Sequence, residues 1–115
     1  MEKQYNLEER TEGFAKAVIQ ICRILPKNTV NIELISQVVR SAGSVGANYI
    51  EANESLSKKD FAHRIRICRK ESKESRYWLK LIESANQECQ KDITELVQEA
   101  TELMNIFGAI LKKVV

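Results

Sequence analysis

Apolar residues recur every three or four positions through most of this sequence, and the recurrence is interrupted at only three places. At about 100° per residue, this spacing aligns side chains on one face of an α-helix. The clearest stripe lies near the carboxyl end and comprises Ile93, Leu96, Val97, Ala100, Leu103, Met104, Phe107, Ile110, Leu111 and Val114. The interruptions therefore divide the chain into four helices, and no alternating β-branched run predicts a strand.

The interruptions carry the residue types that begin and end helices. The predicted helices run over residues 7–25, 31–53, 57–86 and from 92 to the end of the chain. Pro26 ends the first, and Asn31, Ser57 and Asp92 are predicted to be the N-caps of the others. Because connections of about three to six residues make consecutive helices antiparallel, the sequence predicts an all-α, up-down-up-down four-helix bundle.

Length and composition fit a single domain that spans residues 1–115. The hydrophobic content is 43%, with 4 Gly and 1 Pro, a balance typical of a helical globular protein. The longest apolar runs are short and the N-terminus lacks an apolar signal core, so we expect a cytoplasmic protein without a membrane segment. Cys22, Cys68 and Cys89 are widely spaced and odd in number, which predicts reduced core residues rather than a disulfide or zinc framework.

The third predicted helix is strongly basic. Although the net charge of the chain is +2, residues 58–80 contain nine Lys or Arg and three acidic residues, a local net charge of +6. Eight of these cations lie within about 120° of the helix surface, away from its apolar face. They are Lys58, Lys59, Arg66, Arg69, Lys70, Lys73, Arg76 and Lys80, and we refer to them as the basic stripe.

Two interpretations of the basic stripe are open. A long row of cations matches the spacing of phosphates and supplies the sequence-independent part of nucleic-acid affinity. The other interpretation is a solvated face whose Lys and Arg side chains pair with acids of neighbouring helices. Only Tyr77 among the aromatic residues shares this side, so stacking of single-stranded bases is not strongly indicated.

The second predicted helix has a polar face opposite its apolar one. The apolar face comprises Leu34, Val38, Ala42, Val45, Tyr49 and Ala52, and the polar face comprises Gln37, Arg40, Ser41, Ser44, Asn48 and Glu51. Hydroxyl and amide groups satisfy one another's hydrogen bonds and suit close approach by another helix, whereas the alternative is an ordinary solvated face. Gly43 and Gly46 are expected to admit a close neighbour in the same helix.

The third helix also has an apolar flank outside its core arc, where Ile67, Trp78 and Leu81 lie near Glu71 and Glu74. Trp is enriched at subunit interfaces, so this flank predicts either an oligomer interface or, equally, the core margin of a monomer. The candidate oligomer interface or polar network comprises Gln37, Arg40, Ser44, Asn48, Glu51, Glu71, Glu74 and Trp78.

No set of residues in the sequence predicts a reaction. His63 is the only histidine, and no Glu precedes it by three, the spacing that di-iron bundles require. Glu51, Glu71 and Glu74 could approach one another as in a hydrolase, but with Arg40 available they favour an ion-pair network. We therefore predict a non-enzyme with no cofactor, no metal and no small-molecule substrate.

Several motifs together resemble those of a known family. They are Arg10, Phe14-Ala15, the run R-S-A-x-S-V-G-A-N-Y-x-E-A from Arg40 to Ala52, Asp60-Phe61, and K-E-x-x-E-x-x-Y-W-L from Lys70 to Leu79. In these motifs the chain resembles the four-helix bundle proteins of the 23S rRNA intervening-sequence family, small bacterial proteins sometimes labelled ribosomal proteins. The resemblance extends over nearly the whole chain.

The resemblance implies an up-down bundle that assembles as a homopentameric ring. It also implies kinship with the accessory proteins of diversity-generating retroelements, whose basic pentamers are thought to bind nucleic acid and a reverse transcriptase. The residues and the resemblance together predict a homo-oligomeric scaffold that binds structured RNA or DNA through its third helix. The alternative is a protein-interaction module that docks an acidic protein partner.

Overall fold

The computed structural model describes residues 6–115, and within this range it contains four α-helices and no strand. The helices are α1 (Leu7–Ile24), α2 (Thr29–Asn53), α3 (Lys58–Ala85) and α4 (Gln90–Val114), with a short 3-10 helix (Gln87–Cys89) leading into α4. The predicted all-α four-helix bundle is confirmed. The helix α3 packs extensively against both α2 and α4, whereas α1 contacts mainly α2.

The starts of the helices test the three predicted N-caps. The Ser57 side chain accepts a hydrogen bond from the Asp60 N–H at 3.0 Å, as predicted. Asn31 is not the cap of α2, because the Asn28 side chain accepts from the Asn31 N–H at 2.9 Å and starts the helix earlier. Asp92 is not a cap either, since the 3-10 helix continues directly into α4 at Gln90.

The bundle core is formed by the apolar stripes that the sequence predicts. Each helix contributes buried aliphatic or aromatic side chains, among them Phe14, Val18, Val38, Val45, Ile65, Leu79, Ile82, Ile93, Leu103 and Phe107. Fully burying a side chain of this kind stabilises a fold by about 1.5–3 kcal/mol relative to leaving it exposed. The core arc of α3 also contains buried Ser72 and Ser75, and the Ser75 hydroxyl lies 2.8 Å from the Ser41 hydroxyl of α2.

The two glycines of α2 have different surroundings. A Cβ at Gly46 would lie 2.9 Å from the Thr11 Oγ1 of α1, so this glycine permits the close crossing of α1 and α2, as expected. Gly43 is exposed and a Cβ there would have no heavy atom within 4 Å. The expectation of a close neighbour at Gly43 is therefore wrong within the subunit.

A charged link joins α1 to α4. Arg10 donates to both carboxylate oxygens of Glu99, at 2.7 Å and 2.9 Å, and to Glu102 at 2.7 Å. The pKa of Arg10 is raised, chiefly by its hydrogen bonds to Glu99. The pKa of Glu102 is lowered, first by a hydrogen bond from Gln98 and then by one from Arg10. This link supports the helix that contacts the rest of the bundle least.

The link makes α1 sensitive to acid. The relevant carboxylate is Glu102, whose pKa is lowered in the folded state. Such a group stabilises the folded state above its unfolded pKa of about 4.3, and this contribution is lost as the pH falls through its pKa in the folded state. We expect Arg10→Ala to cost about 1 kcal/mol at neutral pH and to flatten the fall in stability between neutral pH and pH of about 3, measured by thermal melts. Lys91→Ala, at an exposed lysine of α4 outside the ion pairs of residues 6–115, serves as the control and should change neither. Identical acid profiles for wild type and Arg10→Ala would contradict this role.

Candidate nucleic-acid interface

The basic stripe covers the side of α3 that faces α4 and solvent. Seven of its eight members are exposed, and Arg76 is half-buried. The opposite side of α3, with Ile65, Leu79 and Ile82, is buried in the core. Spacings of three and four residues place Arg66, Lys70 and Lys73 next to one another on the exposed surface. The helix therefore presents a continuous row of cationic groups.

Within residues 6–115, no member of the basic stripe lies within 4.0 Å of a carboxylate. The ion pairs of this part of the chain use other cations, Arg10, Lys16 and Arg40. Two acids of α4, Glu99 and Glu102, bind Arg10 of α1. The interpretation of the stripe as one half of an intramolecular ion-pair network thus has no support in these contacts.

Two arginines of the stripe extend onto α4. Arg76 donates through Nε to the Thr101 hydroxyl at 2.9 Å, and that hydroxyl donates to the Val97 carbonyl. Arg69 lies over Gly108, where a Cβ would be 3.6 Å from its Nε atom. The sequence predicts a nucleic-acid surface on α3 alone, so Thr101 and Gly108 of α4 were not predicted to belong to it. Their involvement depends on how α3 and α4 pair, which periodicity along one helix does not specify.

The polar face of α2 packs against α3 of the same subunit. The buried hydroxyls of Ser41 and Ser75 are 2.8 Å apart. The side-chain oxygen of Asn48 accepts a hydrogen bond from the Arg64 guanidinium at 2.8 Å. The side-chain NH2 group of Asn48 donates to the hydroxyl of Ser44 at 2.9 Å. The inner part of this face is therefore a packed polar contact between helices rather than a solvated surface.

The outer part of the same face contains a loose charge cluster. Arg40, whose side chain is 57% exposed, approaches Glu71 at 3.9 Å and Glu74 at 3.8 Å and donates to the side chain of Gln37 at 3.3 Å. Glu51 does not join this cluster, since it lies beside Asp60, His63 and Arg64 near the α2–α3 connection. The three carboxylates that sequence analysis considered together are thus not brought together.

Two buried polar atoms of α3 have no hydrogen-bond partner within residues 6–115. They are Oε1 of Glu71 and Nε1 of Trp78. Glu71 is 8% exposed, and Trp78 is half-buried with its ring edge against Tyr77. Unsatisfied buried groups are costly, and both of these lie on the flank of α3 that faces away from the basic stripe.

The described part of the chain shows where the residue types that could hold a metal or react are placed. Among the described residues, no group of three or more His, Cys, Asp or Glu could hold a metal ion. Burial raises the pKa of Cys22 to about 11 and that of Cys68 to about 12, so both thiols stay protonated at neutral pH. None of the helices that the structure describes has the length and apolar content needed to span a bilayer.

Fold and surface together define a small four-helix bundle whose excess positive charge is concentrated on one helix. The family model described as "23S rRNA-intervening sequence protein" matches residues 3–109, and the chain belongs to this family. The recognition made from the sequence motifs is thereby confirmed.

A solved structure of the same architecture supports the assignment. It is that of a protein of unknown function from the S23 ribosomal protein family of Bacteroides thetaiotaomicron VPI-5482. The two chains share 26% sequence identity and superpose with a TM-score of 0.82, over 91% of this chain and 97% of the other. A comparison with curated proteins gave no match.

Proposed function

We propose that this protein is a non-enzymatic, homo-oligomeric scaffold that binds structured RNA or DNA through the basic stripe of α3. The observation that carries the proposal is the row of eight cations without a carboxylate partner among residues 6–115. Such cations gain favourable energy when phosphates displace their counterions. The family name, which refers to 23S rRNA, is consistent with an RNA partner.

Binding assays with several nucleic acids test the proposal. The protein should shift duplex DNA, single strands and a folded RNA at low salt, with an affinity that falls steeply as salt is added. Each phosphate contact contributes about 0.9 to the slope of log affinity against log salt on duplex DNA. If none of these probes binds at low salt, the nucleic-acid proposal fails, and docking of an acidic protein partner becomes the function to test.

Self-association is the second element of the proposal. Its support is the pair of atoms on the Trp78 flank that have no partner in the described part of the chain, together with exposed Ile32, Val39 and Ile50 on the outer face of α2. Different faces of one subunit that contact each other in neighbouring copies generate a ring when the rotation between copies closes. We propose the pentameric state on the basis of the family resemblance, and the kinship with retroelement accessory proteins stays a prediction of that resemblance.

Light scattering measures the assembly directly. We expect a mass about five times the 13.2 kDa of the subunit, because the family resemblance implies a pentameric ring. Trp78→Ala should shift the mass toward that of the subunit and lower the melting temperature only slightly. The reason is that a half-buried ring on the flank contributes less to the bundle core than to an interface. Leu56→Ala, at a 97% exposed side chain in the α2–α3 connection, is the control and should keep the wild-type mass. A monomer at micromolar concentration would remove the basis for this part of the proposal.

A further inference from the structure

Two acids of the helix α4 are engaged away from the basic stripe. Its acids Glu99 and Glu102 bind Arg10 of α1, on the side away from the basic stripe. The side that faces α3 carries, from Thr101 to the carboxyl end of the helix, hydroxyl, amide, glycine, methionine and lysine residues. They are Thr101, Met104, Asn105, Gly108 and Lys112. The cationic surface of α3 therefore continues across an acid-free part of α4.

A groove between α3 and α4 lies along this acid-free side. Its volume is about 430 Å³, and its lining includes Arg69, Asn105, Gly108 and Lys112. A water molecule takes up about 30 Å³ in the liquid, so the groove has room for a much larger group. Arg69 and Lys112 supply positive charge from two different helices, and the Asn105 amide supplies a neutral donor.

Packing within the subunit does not require the glycine at position 108. A Cβ there would lie 3.6 Å from Arg69 Nε and 3.9 Å from its Cδ, which is ordinary van der Waals contact. Alanine would favour the helix more than glycine does. The missing side chain instead leaves the groove open beside Arg69, where the backbone of a ligand could approach closely.

We propose that the groove between α3 and α4 holds a phosphodiester backbone, with Lys112 and Asn105 of α4 as contacts in addition to the basic stripe. This inference rests on the proposed nucleic-acid binding and names the path of the strand. Positive charge on both walls of the groove complements a nucleic-acid strand, which carries one negative charge at every phosphate. Phosphate contacts of this kind position a nucleic acid without reading its sequence, so RNA and DNA should both use the groove.

Lys112 and Lys113 form a matched pair for the test. They are adjacent and exposed, but Lys112 lines this groove, whereas Lys113 lies beside Leu7 and Arg10 on the α1 side. We expect Lys112→Glu to weaken binding of both a duplex DNA and an RNA hairpin by at least about tenfold and to reduce the salt slope. Lys113→Glu should change binding by less than about twofold, by the same reasoning on phosphate contacts.

The outcomes separate the two levels of the proposal. If the wild-type protein binds neither probe, the proposed function itself fails. If it binds but Lys112→Glu and Lys113→Glu weaken binding equally, or neither does, the groove is not the path of the strand. If only one of the two probes responds to Lys112→Glu, a shared phosphate path is likewise excluded.

A second variant tests the groove without changing charge. Gly108→Leu replaces a poor helix former with a good one and fills the groove, so it should leave the melting temperature unchanged or higher while weakening binding. Gly13→Leu on α1, where a Cβ would have no heavy atom within 4 Å, is the control and should leave binding unchanged. Wild-type affinity in Gly108→Leu would overturn the inference.

Discussion

Reversing Arg66, Lys70 and Lys73 to Glu is expected to abolish nucleic-acid binding while leaving the bundle folded. The three side chains are exposed, sit in the middle of the basic stripe and have no carboxylate partner among residues 6–115. Each reversal replaces an attraction to phosphate with a repulsion, and loss of several phosphate contacts costs orders of magnitude in affinity. Because none of the three belongs to the core of α3, helicity by circular dichroism and mass by light scattering should be unchanged.

A charge-matched variant shows whether the position of the cations matters. Reversing Lys16, Arg23 and Lys27 on and after α1 changes the net charge by the same amount but leaves the basic stripe intact. Binding by this variant should remain within a few-fold of wild type at moderate salt, because long-range charge effects are screened over about 10 Å at 0.1 M. An equal loss of binding in both triple variants would mean that net charge alone, and not the stripe, attracts the nucleic acid.

The architecture could be predicted because it depends on local signals. A period of three and four residues specifies helix, and the residues between the periodic segments specify where the chain turns, so the bundle follows without knowledge of tertiary contacts. The first residues of the helices were predicted less accurately. Asn28 and Asn31 are the same residue type and lie only three positions apart, so the sequence does not show which one caps α2. The structure resolves this, because Asn31 is buried against another helix.

The sequence predicted which residues share a face of one helix, but not which residues of a neighbouring helix lie beside them. The angular position of the basic stripe follows from α3 alone, whereas Thr101 and Gly108 join it through the packing of α4. The polar face of α2 gives the opposite case. Its composition predicted a packed contact, but not whether the partner is α3 of the same chain or another copy. The hydroxyl pair of Ser41 and Ser75 places α3 there, and Trp78 on the same side of α3 has an N–H without a partner among residues 6–115.

The contact that sequence analysis did not predict is a pair of buried amides that closes one end of the bundle. Asn31 of α2 and Asn86 at the end of α3 exchange two hydrogen bonds, both 2.9 Å, and are 1% and 2% exposed. Their remaining amide hydrogens donate to the carbonyls of Pro26 at 2.8 Å and Ile82 at 3.0 Å. Every amide group of the pair thus has a partner, which is the condition under which buried polar groups are tolerated.

Replacing one member of this pair should destabilise the fold strongly. In Asn31→Leu the side-chain oxygen of Asn86 loses its donor, and one of its amide hydrogens loses its acceptor. The backbone carbonyl of Pro26 also loses a donor. We expect these unsatisfied groups together to lower the free energy of unfolding by about 2–4 kcal/mol. Asn86→Leu should cost a similar amount. The control is Asn53→Leu, which removes an exposed amide bonded to Glu8 and should change stability by less than about 0.5 kcal/mol.

The double variant measures how much of this loss belongs to the pair itself. In Asn31→Leu with Asn86→Leu no amide is left without its partner, and two apolar side chains can pack together, so the combined loss should be smaller than the sum of the single losses by at least about 1 kcal/mol. Chemical denaturation of the four proteins gives this coupling energy directly. Additive losses would show that the two amides act separately, and the end of the bundle would then be held by the caps and the apolar core alone.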